Sequence, residues 1–475
     1  MQQIKIAQGL REFPRELFDH AETLQALDLS DNQLCSLPAD FSRFRQLQRL
    51  FLTNNRFDEV PAVLAQCPNL TMVSFKGNQL QRFGQGTLPA GLQWLILTDN
   101  QLTELPDDMG RYQRLQKCAL AGNQLHHLPD SMQLCRELGL LRLSLNQFTA
   151  FPQWLFTLPK LAWLALGANP ATPVTLHSEI PSCPLQDFQL QETLGVGASG
   201  VIYRALAHGD SAKQLGIALC AVKQFKGWLT SDGCPKDEMA NALNAGRHAN
   251  LIPVLAQLTG GDLPGLAMAL VPASFQSLGK PPSFASITRD TFDPSRQLSL
   301  AEIWRLAQQV TSVMAHLHSR RLVHGDLYAH NMLLDASGQL YLGDFGAATA
   351  LDGLPPSQQQ AMQQQEVAAF GYWLADMMTL LPTAAGEPTI GLQTLRTDAL
   401  HSGAPHADSF QQGARSNNTA EQDTSQQCGH LQHMLSAALP LQQLVDRCLQ
   451  PQVQLRPSFA QLEVEVAAIA SQQTV

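Results

Sequence analysis

The sequence predicts an α/β repeat solenoid over residues 1–178, followed by an α+β domain over residues 179–475. Three observations carry that prediction. A leucine-spaced segment returns every 22 or 23 residues through the first third of the chain. The period is lost between Asn169 and Pro184, where Pro170, Pro173, Pro181 and Pro184 accumulate and stiffen a short join. Beyond the join, a glycine-rich stretch set between two apolar segments precedes an Asp and an Asn five positions apart. A chain of 475 residues exceeds one ordinary core, and 44% hydrophobic with 15% charged residues is a globular composition.

The repeats open at Leu24, Leu47, Leu70, Leu92, Leu115, Leu138 and Leu161. Eight positions after each opening stands Asn32, Asn55, Asn78, Asn100, Asn123, Asn146 or Asn169. This is the leucine-rich-repeat pattern in seven units, and Met1 to Phe18 reads as a degenerate starting unit with Ile4 and Ile6 as strand residues. Leucines at the first, fourth and sixth places point inward, where neighbouring units bury one another. The Asn column satisfies backbone groups at the turn leaving each strand. Apolar-Pro pairs at Leu37-Pro38, Val60-Pro61, Leu105-Pro106, Leu128-Pro129 and Phe151-Pro152 fix the return path, and the third unit departs with Phe83-Gly84. Arg49, Phe51, Trp94, Lys117, Arg142 and Trp163 take outward places on the concave strands, a mixture suited to gripping a protein partner.

A formal charge of −9 argues against a nucleic-acid binder. The longest apolar runs fall short of the roughly 20 residues a membrane helix needs. The amino end lacks a charged-then-apolar leader, so a cytoplasmic location is expected. Nine cysteines without paired short spacing read as free thiols rather than a disulfide framework or a zinc site.

In the carboxy-terminal half, Gln189 to Leu194 reads as a strand and is followed by Gly195-Val196-Gly197-Ala198-Ser199-Gly200-Val201. The last glycine leads into a second strand rather than a helix, which favours a hairpin covering phosphates over a dinucleotide turn. Further on, Asp326 and Asn331 precede Asp344-Phe345-Gly346. This is the pattern of a phosphoryl-transfer site: one Asp takes a hydroxyl proton, while Asn and the second Asp hold Mg²⁺ on the phosphates of ATP.

Here the sequence resembles the protein kinases. That resemblance implies ATP and Mg²⁺, with Asp326 as catalytic base and Asn331 and Asp344 as metal ligands. Gly195, Val196, Gly197, Ala198, Ser199 and Gly200 would cover the phosphates, Val201 would press on the adenine, and Ala221 would be a further nucleotide-binding residue. Lys223 would contact the α- and β-phosphates, with Glu238 as its counter-charge and Asp237 as the competing choice. Met268, Ala269 and Val271 would line the hinge beside the adenine, and His324 would hold the loop. Ser299 to Ser319 carries apolar residues at helical spacing, a core helix of the larger lobe. Residues 280–296 read as a polar insertion and 386–429 as a disordered one, with Ser409, Ser416, Thr419, Thr424 and Ser425 as candidate phosphorylation sites.

Two departures stand out. Gly325 occupies the place of the Arg that precedes the catalytic Asp, and Tyr328 the place of the Lys two residues after it. Glu366 follows Asp344 by 22 residues with no Ala-Pro-Glu between, so control by phosphorylation of that short segment is not expected. Glu366 stands where kinases carry a helix-start Asp, and Arg456 has lost its usual partner. The whole resembles soluble bacterial leucine-rich-repeat protein kinases, which implies transfer to Ser or Thr of a protein recruited by the repeats. Two alternatives stay open: a pseudokinase scaffold, and a small-molecule kinase of the same fold.

Overall fold

Leu24, Leu27 and Leu29, the first, fourth and sixth places of one repeat, have no solvent exposure, and the equivalent leucines of the later repeats share one continuous core with them. The computed structural model describes residues 2–176, 180–197, 199–227, 229–230, 232–261, 265–382 and 438–472. Ala198, the insertion at 386–429 and its five Ser/Thr positions lie outside the described residues.

The solenoid is one parallel sheet of eight three-residue strands in chain order: β1 (Gln3–Lys5), β2 (Ala26–Asp28), β3 (Arg49–Phe51), β4 (Met72–Ser74), β5 (Trp94–Ile96), β6 (Lys117–Ala119), β7 (Leu140–Arg142) and β8 (Trp163–Ala165). The starting unit is a full member, since Ile4 pairs in register with Leu27. Pro61, Pro129 and Pro152 stand immediately before the short 3₁₀ turns Ala62–Gln66, Asp130–Leu134 and Gln153–Thr157 of the return path. Their fixed φ starts each turn where no N–H is needed. The Asn column ties the stack together: Asn100 Oδ1 accepts from Leu80 N–H at 2.9 Å, and its Nδ2 donates to Phe75 O and Leu97 O at 2.9 and 3.0 Å.

The small lobe is a six-stranded sheet of β9 (Ser182–Pro184), β10 (Phe188–Val196), β11 (Gly200–Ala207), β12 (Leu219–Phe225), β13 (Val254–Thr259) and β14 (Gly265–Met268), ordered β10-β11-β12-β14-β13-β9. It carries two helices, α1 (Gly209–Leu215) and α2 (Pro235–Ala245). The large lobe centres on α3 (Leu300–Ser319), α4 (Pro356–Met378), α5 (438–448) and α6 (Phe459–Gln472). A capping box starts α3: Ser299 Oγ accepts the Glu302 N–H, and Glu302 Oε2 accepts the Ser299 N–H at 2.7 Å. Short pairings β15 (Gln276–Ser277), β17 (Met332–Leu334) and β18 (Leu340–Leu342), with β16 (Leu322–Val323) against β19 (Thr349–Ala350), shape the loops facing the small lobe. Among the described residues no helix is long and apolar enough to cross a membrane, and the eight described cysteines are free.

Solenoid and lobes are not beads on a string. Val323, Leu351, Leu354 and Met362 of the large lobe belong to the solenoid core, while Leu140, Ala162 and Trp163 of the solenoid belong to the large-lobe core. Concave positions that face outward in an isolated solenoid are buried as a result: Leu140 is 3% exposed, Arg142 2% and Trp163 2%. The concave face is therefore occupied by the chain's own lobes, and the expectation that it stands open for a protein partner is corrected to that extent. Even the polar insertion joins in, because Phe284 sets its ring 5.5 Å from Phe51 and 5.8 Å from Trp94, with Arg49 over it at 4.7 Å.

Candidate active site

In the small lobe, β11 and β12 pair Ile202 with Lys223 and Val201 with Gln224. Directly opposed residues share a face. Ile202 and Lys223 accordingly line one pocket together with Gly197, Gly200, Asp344 and Gly346. Val201 faces the other side, so the residue expected on the adenine is Ile202 instead; alternation along a strand makes a one-residue slip a change of face. Ala221, two residues before Lys223, is on the pocket face and pairs with Met268. Met268, Ala269 and Val271 are half-buried where the lobes join. The Ala269 N–H donates to Pro253 O at 2.8 Å, which leaves its carbonyl as the candidate ligand contact.

Lys223 Nζ forms a buried ion pair with Glu238 on the first turn of α2. Burial pushes the Glu238 carboxyl up, against the pull of Lys223. Asp237 is turned to the last repeat, where the Ala168 N–H lies beside it, so the choice between the two falls to Glu238.

The loop of residues 324–331 adjoins the pocket through Asp344, whose charge acts on both Glu238 and Asp326. His324 is fully buried; its Nε2 donates to Gly343 O at 2.9 Å and its Nδ1 accepts the Asp326 N–H at 3.3 Å. It is a strut, as expected. Asn331 Nδ2 donates to Asp326 Oδ2 at 2.7 Å and to Asp326 O at 2.9 Å. The Gly343 N–H donates to Asn331 O at 2.9 Å, which brings the following Asp344 beside Asn331. Asp344 is exposed, at φ +61°, and its Oδ1 accepts the Gly346 N–H at 3.0 Å. A carboxylate and an amide oxygen make the hard, sparse donor set with which Mg²⁺ binds when phosphates complete its shell. No cluster of three or more His, Cys, Asp or Glu able to hold a metal alone occurs among the described residues. The residues present thus fit Mg²⁺ on a nucleotide.

A third wall of the site comes from the solenoid. Arg142 of β7 pairs through Nη2 with Asp326 Oδ1, donates from Nε to Asp232 Oδ1 at 2.6 Å, and from Nη1 to Gly325 O at 2.9 Å. Burial opposes its charge, but Asp326 and Asp232 more than restore it. Burial also raises the Asp326 carboxyl, while Arg142 pulls it down. Trp163 of β8 stacks on Tyr328 at 4.6 Å and 4°, and its Nε1 donates to Leu327 O at 3.2 Å. Lys117 of β6 lies over the Trp94 ring at 4.3 Å, its amine pushed down to about 8 by burial and by Arg142. On the far side His330 Nδ1 meets Asp290 Oδ1 at 2.7 Å; burial lowers His330, and Asp290, Asp326 and Asp344 together raise it by more.

The comparisons agree with this geometry. Residues 188–376 match the family described as protein tyrosine and serine/threonine kinase, and residues 7–57 match leucine rich repeat. The chain carries leucine-rich repeats followed by a protein kinase domain. Similar proteins include the serine/threonine-protein kinase pakH of Dictyostelium discoideum, 25% identical over 193 residues, which are 40% of this chain and 32% of pakH. The serine/threonine-protein kinase A-Raf of Mus musculus is 26% identical over 219 residues, 41% of this chain and 33% of the relative. The serine/threonine-protein kinase PITSLRE of Drosophila melanogaster is 28% identical over 168 residues, 34% of this chain and 16% of the relative. The chain therefore spans a third or less of the length of these relatives.

Within the kinase domain, the departures seen in the sequence have structural counterparts. Glu366 Oε1 accepts the Gly325 N–H at 2.6 Å, and its Oε2 meets His318 Nε2 at 2.8 Å, so this carboxylate anchors the loop of residues 324–331 from α4. Arg456 donates to Gln450 O at 2.9 Å, to Gln364 O at 3.3 Å and, across to the repeats, to Pro159 O at 2.6 Å. Tyr328 is 5% exposed between Trp163 and His330, so it does not stand open to an acceptor. Sequence reasoning missed Asp232, Asp290 and His330. It also missed the destination of Arg142 and Trp163; their outward places on the concave strands were the signal available for that pair.

Proposed function

We propose that the protein is an ATP- and Mg²⁺-dependent protein kinase that phosphorylates Ser or Thr. The reading rests on one observation above all: the Lys223–Glu238 pair and Asp344 line one pocket, and Asp344 follows Gly343, whose N–H bonds Asn331, itself bonded to Asp326. Lys223, held by Glu238, is the cation that positions the phosphates, and the Gly195–Gly200 hairpin covers them. Asp326 orients the acceptor hydroxyl and takes its proton as the oxygen attacks the γ-phosphorus, while the bond from the γ-phosphorus to the β–γ bridging oxygen breaks and ADP leaves. A carboxylate offers about four acceptor sites, so its bonds to Arg142 and Asn331 leave room for that hydroxyl. Mg²⁺ held by Asn331 and Asp344 would neutralise charge developing on the phosphates. The repeats recruit the protein substrate through surface left exposed beside the kinase domain, since concave positions from Arg49 to Trp163 touch the chain's own lobes.

Purified protein incubated with labelled ATP and a generic protein acceptor tests this. Mg²⁺-dependent label is expected on Ser or Thr, and Lys223→Met is expected to reduce its rate by about 100-fold or more, the scale of losing a charged contact to transferring phosphoryl. Nucleotide binding without turnover by the wild type would replace the reading with a scaffold; label on small molecules alone would replace it with a small-molecule kinase.

A further inference from the structure

Arg142 stands out because it lies 184 residues from the carboxylate it pairs with and comes from a different structural unit. It is 2% exposed and bonds to Asp232, Trp163 O, Gly325 O and Asp326. A buried guanidinium between two carboxylates fixes both, since its planar fork leaves little freedom to any partner. The side chain at 328 cannot supply a cation to this place: it is a tyrosine lying flat on Trp163. Position 325 cannot supply one either, because the Leu164 and Ala347 carbonyls fill the space beside Gly325.

The last repeats also cover the short stretch between Asp344 and α4 and the start of α4 itself. Leu166 N–H donates to Thr349 Oγ1 at 3.0 Å, Leu351 and Leu354 enter the solenoid core, and Gln358 and Gln365 of α4 donate to Phe151 O and Leu155 O at 3.1 and 2.9 Å. An interface that merges two apolar cores is of the permanent kind rather than that of a removable lid.

Building on the kinase reading above, we propose that the last repeats are a fixed wall of the active site and that Arg142 is a positioning residue, holding Asp326 in place for phosphoryl transfer. Lys117, on the neighbouring strand, is a second cation of the same wall. Two variants test the assignment in the full chain. Arg142→Gln keeps most of the side-chain bulk and removes the charge; its kcat is expected to fall by about 100-fold, the scale of losing one donor at a reacting centre, while KM for ATP moves by less than about threefold. Arg142→Lys keeps the charge and is expected to recover about tenfold of that loss. Turnover that is unchanged or raised in either variant overturns the proposal, a rise meaning that the repeats inhibit instead. A wild type that transfers no phosphoryl sinks the kinase reading and not this one, because amide exchange reports the positioning directly. Exchange at residues 325–328 that is at least about tenfold faster in Arg142→Gln supports it, and unaltered exchange there overturns it.

Discussion

Gly325 has φ +73°, and a Cβ added there would lie 2.4 Å from Ala347 O and 3.1 Å from Leu164 O. Both the left-handed backbone and the close approach of the Ala347 carbonyl, with Leu164 O of the solenoid beside it, require glycine at this place. Gly325→Ala should therefore cost about 2–3 kcal/mol of stability, strain and overpacking combined, read as a lower urea midpoint at unchanged slope. A midpoint equal to wild type would contradict the close approach. The sequence showed that an expected Arg is missing here, because one letter in a recognisable run suffices for that. It held no sign that Arg142 approaches the same aspartate from the other unit. Contacts between residues so far apart leave no trace in local spacing, and an outward Arg on a repeat reads as solvated. The choice of Glu238 over Asp237 was legible for the opposite reason, since both sit on one helix turn in a familiar order.

The repeats were legible down to single residues, because each unit must bury the same places and bond the same backbone groups. The Asn column illustrates it: Asn100 bonds Leu80 N–H, Phe75 O and Leu97 O, linking consecutive turns. Asn100→Ala leaves those buried groups without partners and should destabilise the protein by about 2–4 kcal/mol, measured by urea unfolding. A loss below roughly 0.5 kcal/mol, the size of an ordinary surface change, would show that the column is not structural. Strands and helices of the kinase domain also followed their periodicity, with α3 and its Ser299 cap where the apolar spacing put them. The face of β11 did not follow. Val201 and Ile202 are both apolar and β-branched, so composition gives no preference, and the register with β12 decides which of them meets the pocket.

At the scale of the whole molecule, the proline-rich stretch at 169–184 reads as a short, semi-rigid join, and the cores on its two sides interpenetrate. Gly353 shows how tightly: a Cβ there would fall 2.2 Å from Ala171 O. The loop of residues 324–331 is bounded by α4 through Glu366 and by the repeats through Arg142 and Trp163. The sequence placed Glu366 at a helix start, whereas it lies in the middle of α4; the partners of Arg456 were not legible, because they are the backbone carbonyls of Gln450, Gln364 and Pro159, which carry no residue signature. What joins these parts functionally is Asp326, held by groups from both halves of the chain. The most direct measurement is the initial rate of Mg²⁺-dependent phosphoryl transfer from labelled ATP by wild type and by Asp326→Asn at saturating ATP. The account predicts measurable transfer by the wild type and a loss of about 1,000-fold or more in the variant, with nucleotide affinity retained. A variant within about threefold of wild type would contradict it.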